Sequence, residues 1–255
     1  MRLDLYLVEV KRFPSRQRAQ REIRAGNVTV NGKRITKPSH DIAASDRVAV
    51  HATTNPYVSQ GGLKLEHAIR HFSLDLEGRR VLDIGSSTGG FTDCALRHGA
   101  KKVYAVDVGT LQMHGTLRED DRVILHEQTN FLDIGPDDLG GPIDLVVVDV
   151  SFTSSLPIIR HAYGMLDAPE MVVLVKPQFE TRKRNRRGIV SRPDHHRSIL
   201  KSHILSLKSQ DIPVHALIPS PVKGSHGNIE FLLHIRKPTK PIDVDAVVDA
   251  AWRRD

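Results

Sequence analysis

The sequence predicts an α/β chain in two unequal parts, a seven-stranded, mostly parallel sheet domain behind a small α+β module. Three observations carry that reading. Short apolar runs recur through residues 81–235 with helical stripes between them. A loop of small residues, Gly85 to Gly90, directly follows the first of those runs. Residues 1–55 hold 11 Lys and Arg against 5 Asp and Glu, a net of +6, whereas the rest of the chain carries only +1 of the total +7. At 255 residues and 39% hydrophobic, the chain can bury a substantial core.

Composition also excludes several classes. No apolar run approaches the roughly 18 residues of a membrane span, and no apolar segment of a secretory signal follows Met1-Arg2-Leu3-Asp4. The expected location is the cytoplasm, with no membrane partner. Cys94 is the only cysteine, so neither an intrachain disulfide nor a multi-Cys zinc site is expected; its expected role is helix packing. The basic amino-terminal segment points to a polyanionic partner, nucleic acid above all.

Taken in order, Leu3, Leu7 and Val10 have helical spacing, and Phe13-Pro14 is the expected end of that helix. Ser15 is the expected cap of a second helix, in which Ala19, Ile23 and Ala25 face inward and Arg16, Arg18, Arg21 and Arg24 spread over the outer surface. Gly26-Asn27 stops it. Val28–Val30 and Lys33-Arg34-Ile35 flank Asn31-Gly32, a strong hairpin signal, and residues 47–50 supply another strand. The polar stretch 51–56, ending in Asn-Pro, reads as a linker between a module at 1–50 and a domain at 57–255.

In that domain a helix carries Leu65, Ala68, Ile69 and Phe72 on its apolar side, with Lys64 expected in the first turn, electrostatically the wrong end for a cation. Val81–Ile84 reads as a buried strand, with Asp83 at its end and a turn after it; Thr92 or Asp93 then helps begin a helix through Leu96. Backbone without bulky side chains lets a nucleotide-like ligand lie against it. The spacing excludes a P-loop, because Phe91 and Thr92 follow Gly90 where Lys and Ser/Thr are needed, and a G-x-G-x-x-G fingerprint fails at Ser87. A second strand, Val103–Val106, ends in Asp107, placed to bond two ribose hydroxyls, and a third covers Val123–His126. In the loop after it, Asn130 and Phe131 are the candidates to meet an adenine by its amine and its face.

Leu145–Val148 and Met171–Val175 read as fully buried parallel strands, with Asp149 and Lys176 at their carboxyl ends. Arg182, Lys183, Arg184, Arg186 and Arg187 form a basic loop, solvated or clamping phosphate. Residues 191–207 carry a helical stripe, 213–219 a sixth strand, and Ile229, Phe231, Leu233 and Ile235 alternate as a seventh. Glu230 stands among them, needing a partner or water. Residues 243–254 close with a helix packing Val247, Val248 and Trp252.

Several phrases carry resemblances. Ser15-Arg16-x-x-Ala19, Ile23-x-x-Gly26-x-Val28-x-Val30-Asn31-Gly32 and Lys37-Pro38 resemble the S4 RNA-binding domain, which implies that Arg16, Arg18, Arg21, Arg24, Lys33 and Arg34 grip structured RNA. Asp83-x-Gly85-x-x-x-Gly89-Gly90 resembles motif I of S-adenosylmethionine (SAM) methyltransferases. This implies a Rossmann-like domain with Asp83, Gly85, Ser86, Ser87, Thr88, Gly89, Gly90, Phe91, Asp107, Asn130, Phe131 and Asp149 about the cofactor. Lys64, Asp149, Lys176 and Glu230 match the K-D-K-E set of FtsJ/RrmJ-type RNA 2′-O-ribose methyltransferases. The phrases Tyr57-Val58-Ser59-x-Gly61-Gly62-Leu63-Lys64, Asp149-Val150-Ser151-Phe152 and Lys176-Pro177-Gln178-Phe179-Glu180 resemble the TlyA, or hemolysin A, family. Gln60 departs where that family has Arg, and Ser86 where it has Ala.

The resemblance implies a SAM-dependent methyltransferase acting on ribosomal RNA, on cytidines in 16S and/or 23S. Chemistry fits the set: a ribose hydroxyl is a poor nucleophile, so alignment and proton removal are what the protein must add. Lys176 would orient the hydroxyl and take its proton, which needs its pKa lowered by burial or by Lys64. Asp149 would position Lys176, and Glu230 would hold Lys64. No metal is required. The alternatives are a non-catalytic S4-containing assembly factor, which has no use for the K-D-K-E set, and a pore-former, for which no membrane segment exists.

Overall fold

The computed structural model describes residues 1–253 apart from 11, 14, 25, 52–54, 168, 182, 183, 186, 187, 225 and 226, and apart from the side chains of 18 and 21. The chain divides into two compact units, Met1–Pro56 and Tyr57–Asp255.

In the first unit, α1 (Leu3–Glu9) and α2 (Arg16–Arg24) pack on a three-stranded antiparallel sheet of β1 (Val28–Val30), β2 (Lys33–Arg34) and β3 (Val48–Val50), in the order β2-β1-β3. The two-residue turn works because Asn31 and Gly32 both take positive φ, 50° and 78°, as a twisted hairpin demands. Leu3, Leu7, Phe13, Ala19, Ile23, Val28, Val30 and Ile42 form the core. The first helix stops at Glu9, earlier than Phe13-Pro14; Val10, expected on the apolar stripe, is exposed, and Phe13 is buried in the core instead. Pro14 and Ala25 lie outside the described residues. Asp4 is buried and accepts from Arg2 Nε at 3.0 Å, Arg16 Nε at 2.9 Å and Gln20 Nε2 at 2.7 Å. Burial pushes its carboxyl up, but these donors outweigh that and hold it well below the ordinary carboxylate range. Arg16 therefore fastens α2 to α1.

The second unit is a sheet covered on both faces. It runs α3 (Gln60–Phe72), β4 (Arg80–Ile84), α4 (Gly90–Arg97), β5 (Lys102–Val106), α5 (Gly115–Arg118), β6 (Val123–His126), β7 (Leu145–Val148), α6 (Ser155–Met165), β8 (Met171–Val175), α7 (Pro177–Glu180), α8 (Pro193–Lys208), β9 (Val214–Pro219), β10 (Phe231–Ile235) and α9 (Val244–Trp252). Strand order is β6-β5-β4-β7-β8-β10-β9. Strands β4 to β8 are mutually parallel, and β10 is antiparallel to both of its neighbours. One face packs α3, α4 and α5 through Leu65, Ile69, Phe91, Cys94 and Leu117. The other packs α6, α8 and α9 through Ile159, Leu200, Leu207 and Val248. Both faces being covered explains why β7 and β8 are apolar throughout rather than alternating, and why β10 is buried along its whole length.

This topology positions the site. Connections leave β4 toward β5 on one side, while β7 lies on its other side, so a crevice opens beyond the carboxyl ends of β4 and β7. Among the described residues no helix is long and apolar enough to cross a membrane.

Candidate active site

The loop after β4 is shaped by what glycine lacks. Gly85 has φ 82°, and a Cβ there would stand 2.8 Å from the Asp149 carbonyl oxygen. Gly90 opens α4, where a Cβ would meet Ser59 Oγ at 2.1 Å. The chain thus threads between the start of α3 and the end of β7 with no side chain in the way.

Two adjoining cavities follow this loop. The larger, about 280 Å³, is lined by Ile84, Gly85, Ser87, Asp107, Gln112, Asn130, Phe131, Asp149, Ser151 and Phe152 among others. The smaller, about 130 Å³, is lined by Ser59, Gly61, Ser86, Thr88, Gly90, Phe91 and Lys176, and shares Gly85, Ser87, Asp149 and Ser151 with the first. Asp107 is fixed at the mouth of β5: Ser87 N–H donates to Oδ2 at 2.8 Å and Gly109 N–H to Oδ1 at 2.7 Å. Phe131 is buried at the start of a 3-10 turn, and Asn130 Oδ1 accepts from Leu132 N–H at 3.2 Å to cap it. Gly89 and Asp83 line neither cavity.

Asp83 does not end its strand, as expected from the sequence, but lies inside β4 opposite Ala105, fully buried. Its Oδ2 accepts from Thr92 Oγ at 2.6 Å. Burial pushes its carboxyl up to about 7; Asp149 and Asp107 add to that and Thr92 opposes it. A carboxyl raised in the folded state contributes stability that is fully present below its ordinary 3.8 and is lost as pH rises through about 7. Without ligand, the melting temperature of the parent chain is therefore expected to fall more steeply from about pH 4.5 to about pH 7.5 than that of Asp83→Asn, by about 2–4 °C for each kcal/mol of ionisation cost. Parallel pH profiles in calorimetry would remove this account of Asp83.

The four K-D-K-E side chains form two ion pairs. Lys176, after β8 and 8% exposed, places Nζ 2.6 Å from Asp149 Oδ1 and donates to Ser151 Oγ at 2.8 Å. Lys64 Nζ stands 2.6 Å from Glu230 Oε2, both residues buried and 166 positions apart in sequence. Lys64 lies in the second turn of α3 rather than its first, because the helix begins at Gln60 behind a Ser59 cap. Gln178, in α7, donates to Glu230 Oε1 at 3.3 Å, so the short turn that follows Lys176 touches both pairs. Lys64 and Glu230 are not on the cavity walls; Gly61, one helical turn before Lys64, is.

Of the basic candidates, Arg24, Lys33 and Arg34 are exposed. The helix α2 carries Arg18 and Arg21, whose side chains lie outside the description, as do Arg182, Lys183, Arg186 and Arg187. Arg184 Nη1 donates to the Gln178 carbonyl at 3.0 Å. Cys94 lies on the buried side of α4, and burial pushes its thiol up to about 12. Among the described residues no group of three or more His, Cys, Asp and Glu side chains is arranged to hold a metal. Sequence reasoning assigned no role to Ser59, Gln112, Ser151 and Gln178. Ser151 and Gln178 do lie in the phrases that follow Asp149 and Lys176, a signal that was available.

Comparison with known proteins places these features. The family model described as FtsJ-like methyltransferase matches residues 57–237, and that of the S4 domain matches residues 1–48. The "Putative rRNA methyltransferase YqxC" of Bacillus subtilis is 42% identical over 93% of this chain and 86% of its own length. The "16S/23S rRNA (cytidine-2'-O)-methyltransferase TlyA" of Mycobacterium tuberculosis is 37% identical over 99% of this chain and 96% of its own. A solved structure described as "Putative hemolysin from Streptococcus thermophilus" superposes with a TM-score of 0.78 at 40% identity, covering 99% of this chain and 96% of that one.

Proposed function

The chain belongs to the FtsJ-like methyltransferase family and carries an S4 domain ahead of that region, and on this premise we propose that it is a SAM-dependent ribosomal RNA ribose 2′-O-methyltransferase. Its substrate is cytidine in 16S and/or 23S RNA, the modification named for the Mycobacterium tuberculosis relative, and it acts in the cytoplasm on ribosomal subunits. The observation that carries the reading is Lys176: its amine sits between Asp149 and Ser151 on the wall of the cleft that the glycine loop lines.

The cleft suits SAM in its size and donor set. Asp107, with each oxygen fixed by one backbone N–H, keeps lone pairs for two ribose hydroxyls. Phe131 and Ile84 offer apolar faces to an adenine, with Asn130 at its edge, while the backbone of Gly85 to Gly90 takes the amino-acid end. When bound, SAM supplies a methyl group already activated by a sulfonium. The residues then have two tasks, alignment and proton removal. Lys176, as the free amine, would orient the ribose hydroxyl and take its proton as the new O–C bond forms and the methyl's bond to sulfur breaks; Asp149 would hold the ammonium that results. Glu230 holds Lys64 beneath the cleft. Arg16, Arg18, Arg21, Arg24, Lys33, Arg34 and the basic loop at 182–187 bind the RNA backbone, a contact that positions without reading sequence.

The test is transfer of radiolabelled methyl from SAM to purified small and large subunits, followed by mapping of 2′-O-methyl sites. Label at a cytidine ribose is the expected result. SAM bound with no label in either subunit, or in free RNA, would overturn the reading.

A further inference from the structure

Lys176 and Ser151 each begin a five-residue stretch, and the two stretches are pinned together at both ends. At one end Lys176 donates to Ser151 Oγ at 2.8 Å. At the other, Glu180 receives Ser154 Oγ at 2.5 Å, Ser155 N–H at 2.7 Å and Ser155 Oγ at 2.7 Å. Between the pins, the rings of Phe152 and Phe179 stand 5.5 Å apart. The result is a closed ring: the α7 turn runs from Lys176 to Glu180, and the entry to α6 runs from Ser155 back to Ser151.

Three features show that this carboxylate does more than cap a helix. Ser154 already caps α6, its Oγ accepting from Leu156 N–H at 3.2 Å. Glu180 is inside the protein, its side chain 5% exposed and its Oε2 3.6 Å from His203 Nδ1 on α8. Burial pushes the carboxyl up, yet the adjoining His203 ring and the serine donors outweigh that and hold it at about 2, so it is an acceptor at any working pH. Phe152, inside the ring, has φ 68° and is 92% exposed. A phenylalanine in the left-handed region is strained and persists only where its surroundings hold it there. The serine–Glu180 bonds hold the chain two and three residues on.

We infer that Glu180 is a positioning residue for the transfer reaction, holding Ser151 against Lys176 by fixing the far end of the loop that carries Ser151. The inference rests on the ribose-methylation reading. Released from Glu180, the loop can relax at Phe152 and carry Ser151 away from the lysine amine. Glu180 itself lines neither cleft cavity; it faces a separate cavity of about 220 Å³ against α8.

The test combines rates with exchange. Glu180→Ala is expected to lower kcat about 10²-fold, the usual effect of an ångström-scale misplacement, with the KM for RNA and the Kd for SAM unchanged. Glu180→Gln, which keeps the shape and the acceptor for Ser155 N–H, is expected to restore kcat to within roughly threefold of the parent. In a Ser151→Ala background, Glu180→Ala should cost less than about twofold, because the two act as one unit. A lowered melting temperature with kcat intact, an equal loss in both backgrounds, or a Gln variant as slow as Ala would each overturn the inference. Amide hydrogen exchange tests it apart from the reaction: residues 150–155 should lose protection in Glu180→Ala while the sheet keeps its own, and unchanged exchange there overturns it even if the parent transfers no methyl.

Discussion

Replacement of Lys176 by alanine is expected to lower methyl transfer about 10²–10⁴-fold, the range that a positioned proton acceptor contributes, while SAM still binds within roughly threefold of the parent affinity, since the proposed ribose and adenine contacts at Asp107, Asn130 and Phe131 are made without it. Lys176 touches Asp149 and Ser151, not Asp107, Asn130 or Phe131, and Asp149 remains partly open to water, so loss of the lysine leaves no sealed, unpaired charge. Arginine at this position separates two roles. It keeps a cation near Asp149 but cannot give up its proton at working pH. If Lys176 takes the ribose proton, Lys176→Arg is as slow as Lys176→Ala; if Lys176 only places charge, Lys176→Arg recovers to within about tenfold. Single-turnover transfer with saturating SAM and subunits reads the chemical step, and isothermal titration with SAM reads binding. An alanine variant with parent single-turnover rate would remove Lys176 from the mechanism.

What could be read from the chain alone divides along the range of the interactions. Strand and helix identity is local. The apolar runs at 81–84, 103–106, 123–126, 145–148 and 171–175 are strands, because sheet faces covered on both sides demand such runs. The Asn31-Gly32 turn was equally legible from its own two residues. Element ends were less so. Lys64 moved from the first to the second turn because Ser59, not a later residue, caps α3, and α1 stopped at Glu9 because Phe13 found the core from a non-helical backbone. Asp83 looked like the end of a strand because it is an acid after apolar residues; its carboxyl is instead inside the sheet, answered by Thr92. The pairings of Lys64 with Glu230 and of Glu180 with Ser154 and Ser155 span 166 and about 25 positions, and no local periodicity encodes such partners. A charged residue within an apolar run, as at Glu230, says only that some partner must exist; it was the resemblance to the K-D-K-E set that named Lys64 as that partner, and the structure pairs the two.

Glu230 gives the largest expected effect on stability. Its removal strands an ammonium: Lys64 is 7% exposed, Glu230 2%, and Gln178 loses its acceptor as well. Glu230→Ala is expected to cost about 3–5 kcal/mol, the usual range for breaking one side of a buried pair, which for a domain of this size lowers the melting temperature by roughly 6–20 °C. Glu230→Gln retains the shape and an acceptor for Lys64, so its cost should be roughly half of that or less. Space supports the contrast, since a Cβ on Gly224 would stand 1.9 Å from Glu230 Oε1 and the loop therefore closes directly on the carboxylate. The double variant Lys64→Met, Glu230→Leu separates folding from chemistry. Replacing both charges by apolar groups removes the desolvation cost together with the attraction, so its stability should return to within about 2 kcal/mol of the parent. On the proposed role of Lys64, methyl transfer should nonetheless stay at least about 10²-fold down, because the charge one helical turn from Gly61 of the cleft wall is lost with it. Thermal melts and single-turnover rates on the three variants decide the matter. A double variant that is both stable and active would make the pair a scaffold and leave catalysis to Lys176 and Asp149.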